Sequence, residues 1–247
     1  MKGTMRVVAI IQARMGSTRL PGKVLKDVEG KTMLARVVER VKRSQLLDEV
    51  VVATTSNSAD EIIVSECRWI NVPVYRGEEW DVLDRYYQAA LSYQSDIVLR
   101  ITSDCPLIDP GVVDKVIVAF QLESPDYASN VLERTYPLGL DTEVMSMSAL
   151  ARAWQEAKQA YERVHVTPYI YENPDVFRLL RVKGETDYSH YRWTVDMPED
   201  LALVRAVYKC LGEQESIHWE GVVGFLEKNP EVAEINRDVR QKGLSEG

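Results

Sequence analysis

Apolar residues fall into two kinds of segment along this chain: short unbroken runs, and longer stretches with a helical period. Residues 6–12 (RVVAIIQ) enclose an unbroken Val/Ile/Ala run, the pattern of a strand buried on both faces. Residues 32–43 place apolar side chains at 34, 37, 38 and 41, one stripe of a helix. The alternation continues with a strand at 50–54, a helix at 59–67, a short strand at 72–75 and a strand at 96–101. Between the last two lies a predicted helix at 80–93, with Trp80, Leu83, Tyr87, Ala90 and Leu91 along one side. A helix at 110–120 follows, with Asp109 as its cap and Pro110 at its first position. This β-α-β-α order predicts an α/β fold, a mostly parallel sheet flanked by helices, with ligands bound beyond the carboxyl ends of the strands.

From about residue 121 the rhythm changes. Strands of mixed direction are expected at 126–129, 140–145, 177–182 and 191–195, interrupted by helices at 148–160 and near 164–171. Helices at 198–211 and 219–228 close the fold. The 247 residues read as a single domain with an arm or insertion within about 130–190 and a polar tail over 229–247 that has little to pack.

Composition narrows the classes. Thirty Lys and Arg against 38 Asp and Glu give a net charge of −8, which argues against a nucleic-acid groove. Cys67, Cys105 and Cys210 show no CxxC spacing, so they read as small core residues in a reducing, cytoplasmic setting. No run approaches the ~20 apolar residues of a membrane span, and the N-terminus lacks a secretory apolar stretch.

Against that acidic background, residues 11–25 (IQARMGSTRLPGKVL) carry Arg14, Arg19 and Lys23 with no acid. Gly16, Gly22, Ser17 and Thr18 lie among them, directly after a strand. Backbone N–H groups and cations in such a loop suit a polyphosphate. It is not a Walker A loop: five residues separate Gly16 from Gly22, and Val24 stands where Ser or Thr would bind magnesium. No GxGxxG occurs. Asp104, just past the 96–101 strand, points into the expected cleft. It reads either as a Mg²⁺ ligand facing the loop or as a turn aspartate before Pro106. Asp196 lies at another strand-to-helix junction, as a second carboxylate or as a helix cap. Asp81 and Arg85 stand four apart, the spacing of a surface ion pair on a helix. His165, His190 and His218 are scattered, and no histidine is placed to activate Cys105 as a nucleophile.

With those residues in view, the chain resembles the sugar-acid cytidylyltransferases, the acylneuraminate and 3-deoxy-manno-octulosonate type, and within them the spore-coat polysaccharide branch. The similar segments are 11–25, 77–85 (GEEWDVLDR), 100–109, 162–168 (ERVHVTP) and 193–201, within roughly residues 5–211. The resemblance implies a Rossmann-like nucleotidyltransferase fold, a homodimer joined through the arm, and CTP and a small acceptor as substrates. Ala13, Arg14, Gly16, Ser17, Arg19, Lys23, Arg85 and Asp104 would bind the nucleotide. Asp104 and Asp196 would hold Mg²⁺, with Arg14 and Lys23 also serving the chemistry. Where sugar-acid members carry a Gly-Asp-Glu-Pro-type stretch, this chain has Ser103-Asp104-Cys105-Pro106, and the acceptor stays open; a sugar acid needs a cation for its carboxylate, for which Arg134, Arg163, Arg178 and Arg192 are available. The alternatives are a nucleotidyltransferase using another NTP or a phosphorylated acceptor, and a non-catalytic nucleotide-binding protein.

Overall fold

The first apolar run forms the central strand of a seven-stranded sheet. The structure, a computed structural model, describes residues 5–212, 217–241 and 243. Strand β1 (Val7–Gln12) pairs in parallel with β2 (Glu49–Thr55) on one side. On its other side it pairs, again in parallel, with β4 (Ile97–Thr102), and β3 (Val74–Gly77) adds in parallel to the outer edge of β2. Parallel strands need both faces covered, which explains the unbroken apolar runs. Val7, Ala9 and Ile11 pack with apolar residues of α1 (Met33–Val41), α2 (Glu61–Trp69) and α4 (Pro110–Glu123). Val8 and Ile10 pack with α3 (Val82–Ser92) and α5 (Met147–Glu156) on the opposite face.

The later strands give the sheet its mixed character. β6 (Glu143–Ser146) runs antiparallel to both β4 and β5 (Tyr127–Ser129), and β7 (Leu179–Arg181) is parallel to β5. The order across the sheet is β3-β2-β1-β4-β6-β5-β7. Much of the 130–190 stretch is docked on this sheet, with Val166, Ile170 and Phe177 buried in the α3 and α5 layer. A third cluster joins Trp193 and Val195 to α8 (Pro198–Leu211) and α9 (Trp219–Lys228). Among the described residues no helix is long and apolar enough to cross a membrane.

Four expectations are corrected. Residues 191–195 are not a sheet strand. One bridge links Leu138 with Arg192, and the N–H groups of Trp193 and Thr194 donate to Leu138 O while that of Val195 donates to Asp104 O. The helix expected at 148–160 ends at Glu156: the chain extends at Ala157 and restarts as α6 (Ala160–His165), which together with α7 (Pro168–Tyr171) stands where one helix was expected near 164–171. The restart is fixed by Glu162, whose Oε2 accepts from the N–H of Lys158 and Gln159. The 80–93 helix begins only at Val82, capped by Asp81, and turns Leu83, Tyr86, Ala89 and Ala90 inward, leaving Trp80 70% and Leu91 49% exposed. The tail packs: α10 (Pro230–Ala233) and the turn Glu234–Asn236 lie against α8, with Val232 and Ala233 on the third cluster. Its residues 242 and 244–247 lie outside the described residues.

Candidate active site

Three parts of the chain meet beyond the carboxyl ends of β1 and β4. The loop after β1 is held at its base by Asp60, whose Oδ1 accepts from Met15 N at 2.8 Å and whose other oxygen accepts from the Thr55 hydroxyl. Gly22 adopts a left-handed φ of 64° and turns the chain into a 3-10 turn, Lys23–Leu25. From that turn Lys23 Nζ donates to Asp104 Oδ2 at 2.7 Å, Asp196 Oδ1 at 2.8 Å and Val195 O at 3.0 Å. Residues 81 and 173 positions away in sequence thus share one ammonium group.

Burial works against the charge on Lys23, but Asp104 and Asp196 outweigh it, and its pKa lies above the ordinary value. Burial also works against ionisation of Asp104. Lys23 and the Thr102 hydroxyl overcome it and hold the carboxyl down to about 2, against an ordinary 3.8. Above pH 3.8 both native and unfolded chains carry the ionised group, so its full contribution to stability is present. Below that value the unfolded chain protonates first, and the contribution fades toward pH 2. Urea unfolding of the wild type and Asp104→Asn should show a stability gap at pH 5 that narrows by pH 3; a gap of constant size would contradict the coupling to Lys23.

Asp196 gathers further cations: Arg19 Nη2 at 2.9 Å on Oδ1, and Arg192 Nη2 at 2.9 Å on Oδ2. It does not cap the following helix. That role falls to Asp200, fully buried, whose Oδ2 accepts from Asp196 N and Met197 N, both at 2.9 Å. Asp200 also accepts from Arg192. Asp200 and Asp60 were not singled out from the sequence, and Arg192 only as one of several cations available to an anionic acceptor.

The remaining expected site residues divide. Arg14 stands on the opposite side of the loop, 41% exposed, 4.0 Å from Glu79 and 5.9 Å from the Trp80 ring centroid. Gly16 leaves the loop surface open, since an added Cβ would meet only Glu79 and Arg14 side-chain atoms at 3.7 and 4.0 Å. Ala13 is buried, with its N–H on Ala53 O. Ser17 braces the loop itself, its Oγ accepting from Leu20 N. Arg85 is 1% exposed and donates to Glu78 O and Glu79 O, so it shapes the 77–80 turn from below. Its expected pairing with Asp81 is not formed. Asp81 precedes the helix, accepts from Asp84 N and pairs with Arg163 at 2.6 Å.

Four arginines were open as candidates for binding an anionic acceptor: Arg134, Arg163, Arg178 and Arg192. Arg163 and Arg192 are engaged as described, and Arg178 is a surface residue beside Glu123. Arg134 makes a two-pronged contact with Asp141 at 2.5 and 2.9 Å, and Asp141 Oδ1 also accepts from Gly139 N at 3.3 Å, in the turn whose Leu138 carbonyl holds the 193–194 backbone. The buried Cys105 thiol is pushed well up by burial and by Asp104, which suits a packed thiol rather than a nucleophile. Asp109 caps α4, accepting from Gly111 N and Val112 N.

The donor set at the centre is suited to a hard cation. Asp104 Oδ2 and Asp196 Oδ1 both lie within 2.8 Å of one point, the Lys23 nitrogen. Oxygen pairs of this kind suit Mg²⁺, which takes one or two carboxylates and completes its shell with phosphate and water. Among the described residues no group of three or more His, Cys, Asp or Glu is placed to hold a metal ion unaided.

Comparison with known proteins bears on this arrangement. Residues 8–228 match a family profile described as cytidylyltransferase. The spore coat polysaccharide biosynthesis protein SpsF of Bacillus subtilis is 32% identical over 234 residues, 92% of this chain and 96% of that protein. A 3-deoxy-manno-octulosonate cytidylyltransferase of Christiangramia forsetii is 36% identical over 121 residues, about half of each chain (49% and 48%). The solved structure of a cytidylyltransferase from Leptospira borgpetersenii superposes with a TM-score of 0.90 at 33% identity, covering 97% of this chain and 100% of that one.

Proposed function

Because the chain belongs to the cytidylyltransferase family, we propose that it transfers CMP from CTP to a hydroxyl of a sugar acid for surface polysaccharide synthesis, releasing pyrophosphate. The observation that carries this reading is the convergence of Lys23 with Asp104 and Asp196 at the mouth of the cationic loop. An acceptor oxygen attacks the α-phosphorus in line as the bond to pyrophosphate breaks. What the protein contributes is placement and charge neutralisation. Lys23 and Arg19, held by the two carboxylates, face the triphosphate from one side of the loop, and Arg14 faces it from the other. Together they offset the charge that builds on the leaving pyrophosphate. Arg85 keeps the 77–80 turn in place beneath the nucleotide.

Asp104 and Asp196 would hold Mg²⁺. The ion would supply Lewis-acid polarisation of the phosphoryl oxygens. Relatives in the same family act on sugar acids, as in the 3-deoxy-manno-octulosonate enzyme. Arg134 suits the acceptor's carboxylate: its fork already grips a carboxylate, that of Asp141. The reading includes a cytoplasmic homodimer joined through part of the 130–190 stretch.

A ligand that binds only the folded state raises its unfolding temperature. CTP with Mg²⁺ should therefore stabilise the protein more than UTP, GTP or ATP at equal concentration. A pyrophosphate-release screen with sugar acids and phosphorylated polyols should then respond to the sugar acids. A larger shift with another NTP would move the reading to a different nucleotidyltransferase, and CTP binding without turnover would favour a nucleotide-binding protein.

A further inference from the structure

We propose that Asn236, in the C-terminal segment beyond the part of the chain that the family profile matches, is a positioning residue for Asp196. What Asp196 does rests on the function proposed above; where it is held rests on the contacts alone. The segment is polar, yet Asn236 is only 5% exposed. A buried amide must find partners, and this one finds them at the site. Its Nδ2 donates to Asp200 Oδ1 at 2.8 Å and to Arg192 O at 2.9 Å.

Those two partners control Asp196. Asp200 Oδ1 also accepts from Arg192 Nε at 2.9 Å, and Asp200 Oδ2 accepts from Arg192 Nη2 at 3.2 Å and from Asp196 N at 2.9 Å. Arg192 Nη2 then donates to Asp196 Oδ2 at 2.9 Å, which leaves Oδ1 directed at Lys23 and Arg19. The same segment touches the guanidinium from outside, because Arg192 Nη1 donates to Gln241 Oε1 at 2.5 Å. A cleft of about 400 Å³ bounded by Arg19, Met197 and Ile235 places the segment next to the phosphate loop. Asn236 acts through Asp200 and Arg192, two steps from the carboxylate it orients. Hydrogen-bond partners that orient a metal-binding group commonly matter by ~10–100-fold in activity or metal affinity.

The test compares full-length wild type with Asn236→Ala, the isosteric Asn236→Asp, and Val232→Ala, a packing change in the same segment. The Asn236 variants should lose ~10–100-fold in kcat with the KM for CTP little changed, as expected when placement rather than ground-state binding is lost. Asn236→Asp should fall at least as far, since it turns a donor into a carboxylate facing Asp200. Val232→Ala should lower the unfolding temperature and leave kcat unchanged. Crystal structures of the two Asn236 variants should show the Asp196 carboxylate moved off its 2.8 Å contact with Lys23. Wild-type kcat in both variants, or an Asp196 side chain that stays in place, overturns the proposal. A wild type that never releases pyrophosphate from CTP would instead sink the functional reading, and the crystal structures would still decide the role of Asn236.

Discussion

Asp104→Asn should reduce pyrophosphate release from CTP by at least ~10²–10³-fold, the cost of losing one preorganised electrostatic contact in a transition state. The substitution keeps the size and planar shape of the side chain and removes one negative charge. The fold should survive it. Lys23 retains Asp196 Oδ1 and Val195 O, and the Asp104 carbonyl still accepts from Val195 N at 2.8 Å. What is lost is one of the two negative charges that meet at the Lys23 nitrogen. A single carboxylate leaves a divalent ion with one protein ligand and leaves Lys23 biased toward Asp196. Activity and stability should therefore separate. Pyrophosphate release measured beside a thermal melt at neutral pH should show a cooperative melt, lowered only by the stability gap that the lost pairing with Lys23 leaves, and almost no turnover. Near-normal release from this variant would refute the carboxylate-pair reading of the site, and a collapsed melt would place Asp104 in the fold instead.

How far the sequence exposed this site depends on the kind of signal each residue carries. The cationic loop stood out by composition, because three cations without an acid contrast with an acidic chain. Asp104 was legible because a buried apolar strand ends just before it, and strand ends fix where a cleft lies. Asp196 gained meaning only as Asp104's counterpart. The residues that hold Asp196 left no such trace. Arg192 and Asp200 lie eight apart across an irregular segment and a helix start, a spacing no periodic rule links. Asn236 sits in a stretch that reads as solvated tail, and only the fold brings it 36 positions back to Asp200. The Asp81–Arg85 spacing misled for a related reason. The i, i+4 rule holds within a helix, and Asp81 lies before the first turn, where its side chain caps Asp84 N and reaches Arg163. Residues 191–195 have the alternating pattern of a strand, but their N–H groups serve Leu138 and Asp104 rather than a ladder. Periodicity reports which side chains are buried, and it cannot report which carbonyl a backbone group will find.

That same irregular segment makes Gly139→Ala the substitution expected to damage both fold and site. Gly139 has φ +113°, a region that side chains rarely enter. A Cβ there would meet Thr194 N and Trp193 C, each at 2.7 Å. Both are backbone atoms, so neither can swing aside as a flexible side chain would. Leu138 O already accepts from Trp193 N at 2.6 Å and Thr194 N at 3.1 Å, so the two segments have no slack between them. Backbone strain of about 1–3 kcal/mol adds to overpacking of about 1–3 kcal/mol. For a chain of this length the melting temperature should fall on the order of 10 °C. The displacement would act on catalysis as well. Pushing 193–194 outward moves Val195, whose N–H donates to Asp104 O and whose carbonyl accepts from Lys23, and then Asp196 itself. At a temperature where Gly139→Ala remains folded, CTP turnover should still fall by ~10-fold or more, since a misplacement of about 1 Å is enough to lose that much or more. A variant that melts early but turns over CTP normally when folded would show that the 138–139 turn supports the fold without setting the position of Asp196.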